Sequence, residues 1–434
     1  MLTFASTVID VAGFDYVLDS GSGHTPSGAE DSAIAGGQTN LISNQNAFIG
    51  AGEGNTVSGS VSFAGAGSNN TVSGHEGFVG AGFGNEVSGE GSFIGAGGVL
   101  DASNPNNQVF GEDSFIGAGD KNSASNHESF VGAGVSNSVS GVEGFVGAGF
   151  GNLVSGQGSF IGGGGVAGDG TPNNEITGAD SFIGDGTQNA IQTSDAFVGG
   201  GSLNDISGNA TYAVISGGFG NGARNAYASV GGGEDNTISG QVGTIPGGEG
   251  NTVQGFRGFA AGYHAEALHA GTFVWSDYVA GSKTVSDTVK NEFFVRASGG
   301  TAIYSNEALS SGVKLVAGGG SWASVSDRNA KTDIVPLDDA SILAKVAALP
   351  VSTWQYKSER GVRHVGPMAQ DFHAAFGVGE DDRHITSIDE DGVALAAVKA
   401  LSREVHDLHG EIGELHGENA RLQSRLAGLE RGAR

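Results

Sequence analysis

Cysteine is absent from this chain of 434 residues. Its absence excludes disulfide bonds, thiol nucleophiles and thiolate zinc ligands, and it leaves the redox compartment open. Long hydrophobic runs are also missing, and none approaches the ~20 residues that a membrane helix needs. The first residues, Met-Leu-Thr-Phe-Ala-Ser, carry no positive charge and no sustained apolar core. They are not typical of a secretion signal, and membrane insertion is not expected.

Positive charge is scarce over most of the chain. No Lys or Arg precedes Lys121, and the 47 acidic and 20 basic residues give a formal net charge of −27. A surface of this kind repels the phosphate backbone of nucleic acids. Nucleic-acid binding by the long N-terminal tract is therefore excluded.

Glycine is the residue in excess. Of the 80 glycines, 70 precede Ser326. An interior glycine destabilises a helix by ~1 kcal/mol relative to alanine, so a helical tract is excluded there. Glycine at this density over a long stretch indicates a repeat architecture.

A repeat of about 15 residues fills this tract. One asparagine recurs in steps of 15, apart from two steps of 22 and one of 17, and a large apolar residue usually stands seven positions before it. Both long steps place their extra residues after a Phe-Ile-Gly start, at Phe93 and Phe160, as expected for loops that leave a solenoid at one corner. The recurring asparagines are Asn40, Asn55, Asn70, Asn85, Asn107, Asn122, Asn137, Asn152, Asn174, Asn189, Asn204, Asn221, Asn236 and Asn251.

Each repeat predicts two short strands and glycine turns. In "FVGAGFGNEVSGEGS" (78–92), Phe78 and Val79 point to opposite sides of the first strand, and Val87 begins a second apolar stretch. The sequence therefore predicts a mostly β fold, a parallel β-roll or β-solenoid over residues 33–277. We assign the recurring asparagine to a turn, because asparagine tolerates the left-handed backbone conformation and bonds to neighbouring backbone.

Two other uses of such repeats are not supported. Calcium-binding repeats need a nine-residue Gly-Gly-x-Gly-x-Asp period, whereas this period is fifteen and the acids are scattered, so no metal site is expected. Ice binding would need regular threonine columns, and Thr56, Thr71 and Thr252 are too sporadic.

The small interior of each coil predicts a homotrimer. A coil offers one large side chain and one Val or Ile, while its glycines lose much conformational freedom on folding. Three rolls that share one apolar axis bury more surface than one roll does alone. We therefore expect three chains to associate along the repeats.

From Ser326 onward the composition becomes ordinary. Helical signals at 340–349 and from residue 392 flank "VSTWQYK" and "RHVGPMAQDF", which predict a strand and a strand-to-helix turn. This region is predicted to be a small α+β domain. The predicted division of the chain is an N-terminal segment (1–32), β-roll repeats (33–277), a β neck (278–325) and the C-terminal domain (326–434).

A heptad pattern ends the chain and predicts a coiled-coil helix over residues 393–431. By core rules alone, β-branched residues at a, Leu at d and one Asn favour a parallel dimer. We expect the trimer imposed by the rod to prevail. The predicted contact positions are Val398, Leu401, Val405, Leu408, Ile412, Leu415, Asn419 and Leu422, and the pattern continues through Leu426 and Leu429.

The repeats resemble the left-handed β-roll heads of trimeric autotransporter adhesins and the glycine-rich stalks of bacterial and phage fibres. The resemblance is clearest in "YAVISGGFGNGARNAYASVGGGEDNTISG" (212–240) and "GFAAGYHAEALHAGTFVWSD" (258–277). It implies a trimeric fibre on a virion tail or a cell surface. A cell-surface glycan or protein receptor is the partner that such a fibre implies.

The segments "SVSDRNAKTDI" (324–334) and "RHVGPMAQDF" (363–372), together with the terminal helix, resemble the intramolecular chaperone domain of endosialidases and other tail-spike proteins, a self-cleaving peptidase family. The family uses a Ser–Lys dyad with the lysine five residues after the serine. The resemblance carries these roles over to Ser326 and Lys331, with His364 as an assisting residue, and implies no cofactor.

The resemblance also implies cleavage of the chain beside the serine. The scissile bond is either Val325–Ser326 or Ser326–Asp327, and the resemblance favours the latter. A serine hydroxyl is a poor nucleophile until a base takes its proton, and a lysine does so when burial lowers its pKa. Without the ordered motifs, a serine and a lysine five residues apart would be a common coincidence.

A detachable chaperone suits this rod. Near-identical coils pair almost as well when one chain slips by fifteen residues, so the register must be set outside the repeats. The sequence therefore predicts a trimeric fibre whose C-terminal domain aligns three chains and then cleaves itself off.

Two alternative functions are less well supported. A tail spike that cleaves glycans within the roll needs clustered carboxylates, whereas acids such as Glu53, Glu86 and Asp185 are single and drift in phase. A membrane-tethered transcription factor with the same cleavage module needs a basic DNA-binding domain before the cut, and none is seen.

Overall fold

The computed structural model describes residues 30–99, 106–166, 173–281 and 283–432, together with Gly23 and the short strands Tyr16–Val17 and Thr25–Pro26. Most of the predicted N-terminal segment (1–32) lies outside the described residues. The chain forms two compact units, residues 1–298 and 299–434.

The first unit is a parallel β-solenoid, which confirms the predicted fold. In its described part, one long sheet contains the phenylalanine strands, and each pairs with the strand one coil later, as Phe78 does with Phe93. The strands of this sheet are Tyr16–Val17, Ala33–Ile34, Phe48–Ile49, Phe63–Ala64, Phe78–Val79, Phe93–Ile94, Phe115–Ile116, Phe130–Val131, Phe145–Val146, Phe160–Ile161, Phe182–Ile183, Phe197–Val198, Val214–Ile215, Ser229–Val230, Thr244–Ile245, Gly248–Glu249, Phe259–Tyr263, Phe273–Ser276 and Phe293–Arg296.

A second parallel sheet supplies the other side of each coil. Its strands also pair from coil to coil, as Glu86 does with Thr71 and Gln108. The strands are Thr25–Pro26, Leu41–Ile42, Thr56–Val57, Thr71–Val72, Glu86–Val87, Gln108–Val109, Ser123–Ala124, Ser138–Val139, Leu153–Val154, Glu175–Ile176, Ala190–Ile191, Asp205–Asn209, Gly222–Asn225, Thr237–Ile238, Thr252–Val253, Ala265–Ala267 and Val285–Ser286.

The core of the solenoid consists of small β-branched side chains. In most strands of both sheets the second residue points inward, so that Val131 and Val139 of one coil are fully buried. The first residue points outward because side chains alternate along a strand. The phenylalanines are therefore on the outside of the roll, and Val, Ile and Ala fill its interior.

The recurring asparagines form a continuous buried ladder. The side-chain nitrogen of Asn137 lies 3.1 Å from Oδ1 of Asn122 and 2.9 Å from the carbonyl oxygen of Gly149. Its own Oδ1 accepts from the backbone and side-chain nitrogens of Asn152, at 3.1 and 3.0 Å. Each buried amide thus satisfies backbone and side-chain groups of adjacent coils, as buried polar groups require.

The turn assignment of asparagine is wrong in one respect. The residue before twelve of the fourteen ladder asparagines has the left-handed conformation, for example Ser136 with φ 58° and Gln188 with φ 56°. Asparagine follows this position and points inward to the ladder. Its predicted bonds to neighbouring backbone are present.

The two long repeats insert their extra residues at the same corner. Phe93 pairs with Phe115, and the asparagine ladder continues from Asn85 to Asn107 at 3.0 Å. The same holds from Asn152 to Asn174 at 3.2 Å. The solenoid therefore passes both insertions without a break in register.

The ends of both inserted loops are held by the same pair of side-chain hydrogen bonds from an asparagine. Asn106 donates to the carbonyl oxygens of Phe83 and Val99, at 2.7 and 3.1 Å. In the second loop, Asn173 donates to Phe150 and Val166, at 2.8 and 3.1 Å.

Acidic residues share one corner of the roll, which corrects the expectation that they are scattered. Six of them occupy the position two residues before the phenylalanine strand, are exposed, and have φ between 52° and 58°. We call this the acidic corner: Glu76, Asp113, Glu128, Glu143, Asp180 and Asp195.

Parallel pairing extends beyond residue 277. Phe293–Arg296 continues the first sheet by pairing with Phe273–Ser276. Arg296 also binds Asp277, with its Nε 2.9 Å from Oδ1. The solenoid ladder therefore runs on through part of the predicted neck.

The second unit begins with an antiparallel sheet of β1 (Gly300–Tyr304), β2 (Gly312–Val316) and β3 (Trp322–Ser324). A 3-10 turn, Arg328–Ala330, follows it. The remaining elements are α1 (Asp339–Ala348), β4 (Ser352–Trp354), β5 (His364–Gly366), α2 (Ala369–Phe376) and α3 (Ser387–Gly432), and β4 pairs antiparallel with β5.

A small core joins the helices of this unit. Ile342 of α1, Phe372 of α2 and Val393 and Ala397 of α3 are buried together. The helix α3 begins before the predicted residue 393. Thr386 precedes it, and its Oγ1 accepts the backbone N–H of Asp389 at 3.1 Å, which caps the first turn. No helix in the described part of the chain is long and apolar enough to cross a membrane.

An ion cluster fixes α1 against α3. Oδ2 of Asp339 lies 2.9 Å from Nζ of Lys399 and 2.7 Å from a guanidinium nitrogen of Arg403. The hydrogen bond from Lys399 is the main cause that holds the pKa of Asp339 below its ordinary value, and the charges of Lys399 and Arg403 add to it against partial desolvation.

Asn137→Ala is expected to destabilise the solenoid. The change leaves the buried backbone N–H of Asn152 without its acceptor, which costs about 1–3 kcal/mol, and it removes the side-chain donor to Asn122. Guanidinium unfolding followed by circular dichroism measures the shift. The control Ser138→Ala removes an outward side chain of the same coil and should change stability by no more than about 0.5 kcal/mol. Equal midpoints for the two variants would contradict the ladder's role.

Asp339→Asn is expected to destabilise the second unit near neutral pH. Because the folded-state pKa of Asp339 is lowered, its carboxylate stabilises the fold above the unfolded value of about 3.9, and this contribution is lost as pH falls through the folded pKa. Thermal melting at several pH values should show a higher melting temperature for wild type than for the variant at pH 7. The two melting temperatures should converge below pH 4. The exposed Asp382→Asn should match wild type throughout, and a pH-independent difference would refute the ion-pair origin.

Candidate functional site

The antiparallel sheet positions the segment around Ser326. β3 pairs with β2, and one residue further on, the backbone N–H of Val325 donates to the carbonyl oxygen of Gly312 at 3.0 Å. The chain is therefore held by sheet hydrogen bonds up to the residue before the serine.

A capped turn follows the serine immediately. Oδ1 of Asp327 accepts the backbone N–H of Asn329 at 2.9 Å and so caps the 3-10 turn. The backbone N–H of Lys331 then donates to the carbonyl oxygen of Arg328 at 3.2 Å. This single turn reverses the chain and returns Lys331 toward Ser326.

The predicted nucleophile and base are in direct contact. Nζ of Lys331 donates to Oγ of Ser326 at 2.6 Å. This distance lies within the range expected of a nucleophile and its activating base. Both residues are exposed in the single chain, so the site as it stands does not exclude water.

His364 lies elsewhere. It is on β5, where its ring stacks on Trp354 with centroids 4.8 Å apart, and its Nε2 is 3.3 Å from Oε2 of Glu359. Within residues 283–432, no hydrogen bond joins His364 to Ser326 or Lys331. The structure therefore brings together two of the three predicted site residues.

The capping role of Asp327 and Asn329 was not predicted. Asp327 entered the sequence prediction as a neighbour of the scissile bond and not as a cap. An Asp followed two residues later by Asn is a local turn signal, so the sequence carries a trace of this feature. Glu359 gives no such signal, because its contact with His364 depends on the pairing of β4 and β5.

The heptad positions of α3 form an exposed apolar seam. Val398 is 63% exposed, Leu408 49% and Leu422 58%. Residues on the other side of the first turns, such as Val393 and Ala397, pack instead on α1 and α2. Contiguous apolar surface of this kind marks a protein–protein interaction site.

Part of the C-terminal unit matches a known protein family. Residues 326–378 match the sequence model of the family described as chaperone of endosialidase. The matched segment begins at Ser326, contains Lys331 and His364, and ends just after α2. No curated protein matches the chain.

The match and the fold together define the organisation of the chain. A parallel β-solenoid precedes the C-terminal unit in the sequence. The family match in that unit starts at Ser326, the serine that contacts Lys331. The family implies trimer formation. The chain therefore carries a domain of the chaperone-of-endosialidase family behind a tail-fibre-like β-roll.

Proposed function

We propose that the C-terminal domain aligns three copies of this chain and then releases itself by cleavage beside Ser326. The observation that carries the proposal is the contact of 2.6 Å between Lys331 Nζ and Ser326 Oγ, at the first residue of the family match. The mature product is a trimeric fibre on a virion tail or a cell surface, with a glycan or protein receptor as its partner.

Two surfaces of the second unit support assembly. The first is the apolar seam of α3. The second is the sheet β1–β3, which exposes Ile303, Val316 and Trp322 by half or more. A three-stranded sheet with its apolar residues in water lacks a core of its own, and neighbouring copies supply the cover.

The solenoid supports the need for an aligning domain. Its strands pair residue for residue with the next coil, and successive coils repeat the same side chains at the pairing positions. Such a ladder gives little preference for one register over another fifteen residues away. Helices of fixed length and sequence at the C terminus set the register instead.

The chemistry follows from the contact. Ser326 Oγ attacks the carbonyl carbon of Val325 while Lys331 accepts the hydroxyl proton, because attack on the carbonyl of Ser326 itself would close a strained four-membered ring. The same proton then passes to the departing amine, and water hydrolyses the ester that remains. A lysine acts as a base only in its neutral form, which burial favours. Closure of three chains over the exposed pair supplies that burial, so cleavage follows assembly.

Release makes assembly irreversible. The hydrogen bonds of the sheet β1–β3 end at Val325. A cut on either side of Ser326 therefore leaves this sheet intact on the fibre. The helices that aligned the chains are then gone. The fibre is held by the barrier to unfolding, because the aligned intermediate cannot form again.

Ser326→Ala and Lys331→Met are each expected to abolish cleavage, since one removes the attacking oxygen and the other the base. A denaturing gel with intact mass measures this on the full chain. Wild type should yield a C-terminal fragment whose first residue, Ser326 or Asp327, identifies the bond. Ser324→Ala, two residues upstream on β3, should be cut like wild type. Cleavage of the Lys331→Met variant at the wild-type rate would refute the dyad.

Leu408→Glu with Ile412→Glu is expected to abolish both trimer and cleavage, because it places two like charges per chain in the apolar seam. Light scattering measures the assembly and a denaturing gel the cleavage. Glu414→Ala, outside the seam, should leave both intact. A monomeric variant that still cuts itself would separate cleavage from assembly and overturn their coupling.

A further inference from the structure

Ten phenylalanines form a continuous stack on the outside of the roll. Successive ring centroids are 4.4 to 5.5 Å apart and the planes differ by at most 16°. At about 4.8 Å per strand, the stack is roughly 43 Å long. We call the outer side of this sheet the phenylalanine face: Phe48, Phe63, Phe78, Phe93, Phe115, Phe130, Phe145, Phe160, Phe182 and Phe197.

The rings are not covered within the chain. Phe48 is 37% exposed and Phe197 40%, and the rings between them are half-buried by their stacked neighbours. A stripe of aromatic surface of this length is unusual on a protein that acts as a single copy.

The phenylalanine face is flat beside the rings. A glycine stands two residues after each phenylalanine, and at Gly132 a Cβ would lie 2.3 Å from the carbonyl oxygen of Gly147 and 3.4 Å from the ring of Phe130. The next coil therefore leaves no room for a side chain there. Bare backbone beside a row of rings allows close approach of another surface.

The phenylalanine face is nearly free of charge. The first five positions of the ten coils, from 48–52 to 197–201, contain one charged residue, Asp185. The six residues of the acidic corner lie at one edge of this face. The rings themselves are thus bordered by charge on this edge but carry almost none on their own face.

The other edge of the face carries less negative charge than the acidic corner. In the coils of Phe48 to Phe197 its corner positions hold Glu53, Asp120 and Lys121, and the sequences of the two loops inserted there add Asp101 and Asp169, so the net charge is −3 against −6. When identical rolls pack around an axis along their length, one edge of each copy meets the opposite edge of the next. Rotational packing therefore places the acidic corner against the less negative edge and keeps acidic corners apart.

We propose that three copies of this chain pack through their phenylalanine faces, with the stacks around a common axis from Phe48 to Phe197. The inference rests on the trimer of the proposed function and assigns the surface that forms it along the roll. A second copy fits better than a glycan, because ligand sites for polar molecules need convergent polar groups. The interface stops short of Ser229 and Thr244, which replace phenylalanine in later coils.

The absence of cysteine allows a direct test by cross-linking. Phe130→Cys places one thiol on the phenylalanine face, and Ser138→Cys places one on the outer side of the opposite sheet in the same coil. The two sheets of a roll are about 10 Å apart. Each purified full chain is treated with a short-armed trimaleimide, and native mass spectrometry of untreated samples reports the assembly.

Phe130→Cys is expected to give a covalent trimer on a denaturing gel, and Ser138→Cys only singly labelled chains. A trimer by mass in which the Ser138→Cys variant cross-links and the Phe130→Cys variant does not would overturn the proposed face while leaving the trimer in place. A monomer by mass for both would refute the trimer and the face together. Phe145→Cys repeats the measurement one coil on, should the first variant fail to fold.

A charge variant gives an independent readout. Phe130→Glu would bring three carboxylates to the axis, so the trimeric roll should melt well below wild type at pH 7.5 and recover toward wild type near pH 4, where carboxylates are protonated. Ser138→Glu should melt like wild type at both pH values. Equal melting temperatures of the two variants would overturn the proposed face. This is also the result expected if the rings bind a saccharide from solvent instead of another copy of the chain.

Discussion

The pairing of each coil with the next is the interaction on which the structure depends. A strand of two residues makes too few contacts to persist alone, and every coil satisfies its backbone groups through its neighbours. The inward column of Val, Ile and Ala excludes water, and the asparagine ladder satisfies the polar groups that this leaves inside. Stability is therefore a sum over neighbouring coils, as in other solenoids.

The sequence predicted the architecture because the repeat constrains it so strongly. The period, the two strands per coil and the corner for the insertions all follow from the positions of Phe, Asn and Gly. What the sequence did not reveal was the direction of individual side chains. Alternation places Phe130 and Val131 on opposite sides, but periodicity alone does not say which is inside. The width of the interior decides it, because it is filled by Val, Ile and Ala while the rings stack outside, and this width depends on three-dimensional spacing.

The candidate site was only partly predictable. The Ser326–Lys331 pair came from ordered motifs and not from spacing, and the turn capped by Asp327 explains physically why five residues suffice to bring the two side chains together. His364 was assigned from the same resemblance, yet strand pairing places it with Glu359 and Trp354. Contacts that depend on the pairing of β4 with β5 cannot be predicted from a local sequence pattern. The Asp339 cluster, 60 residues from its lysine partner, is of the same kind.

The passage of the ladder across both inserted loops has a consequence for how such chains diversify. Asn85 bonds to Asn107 as it would to a partner fifteen residues away. Extra sequence inserted at this corner therefore leaves the contacts of the interior unchanged. Whole coils are equally interchangeable, since each presents the same donors, acceptors and apolar groups above and below. Duplication or loss of one unit would change the reach of the shaft by a single strand spacing, about 4.8 Å. Length and loop decoration can thus evolve independently of the machinery that assembles the shaft.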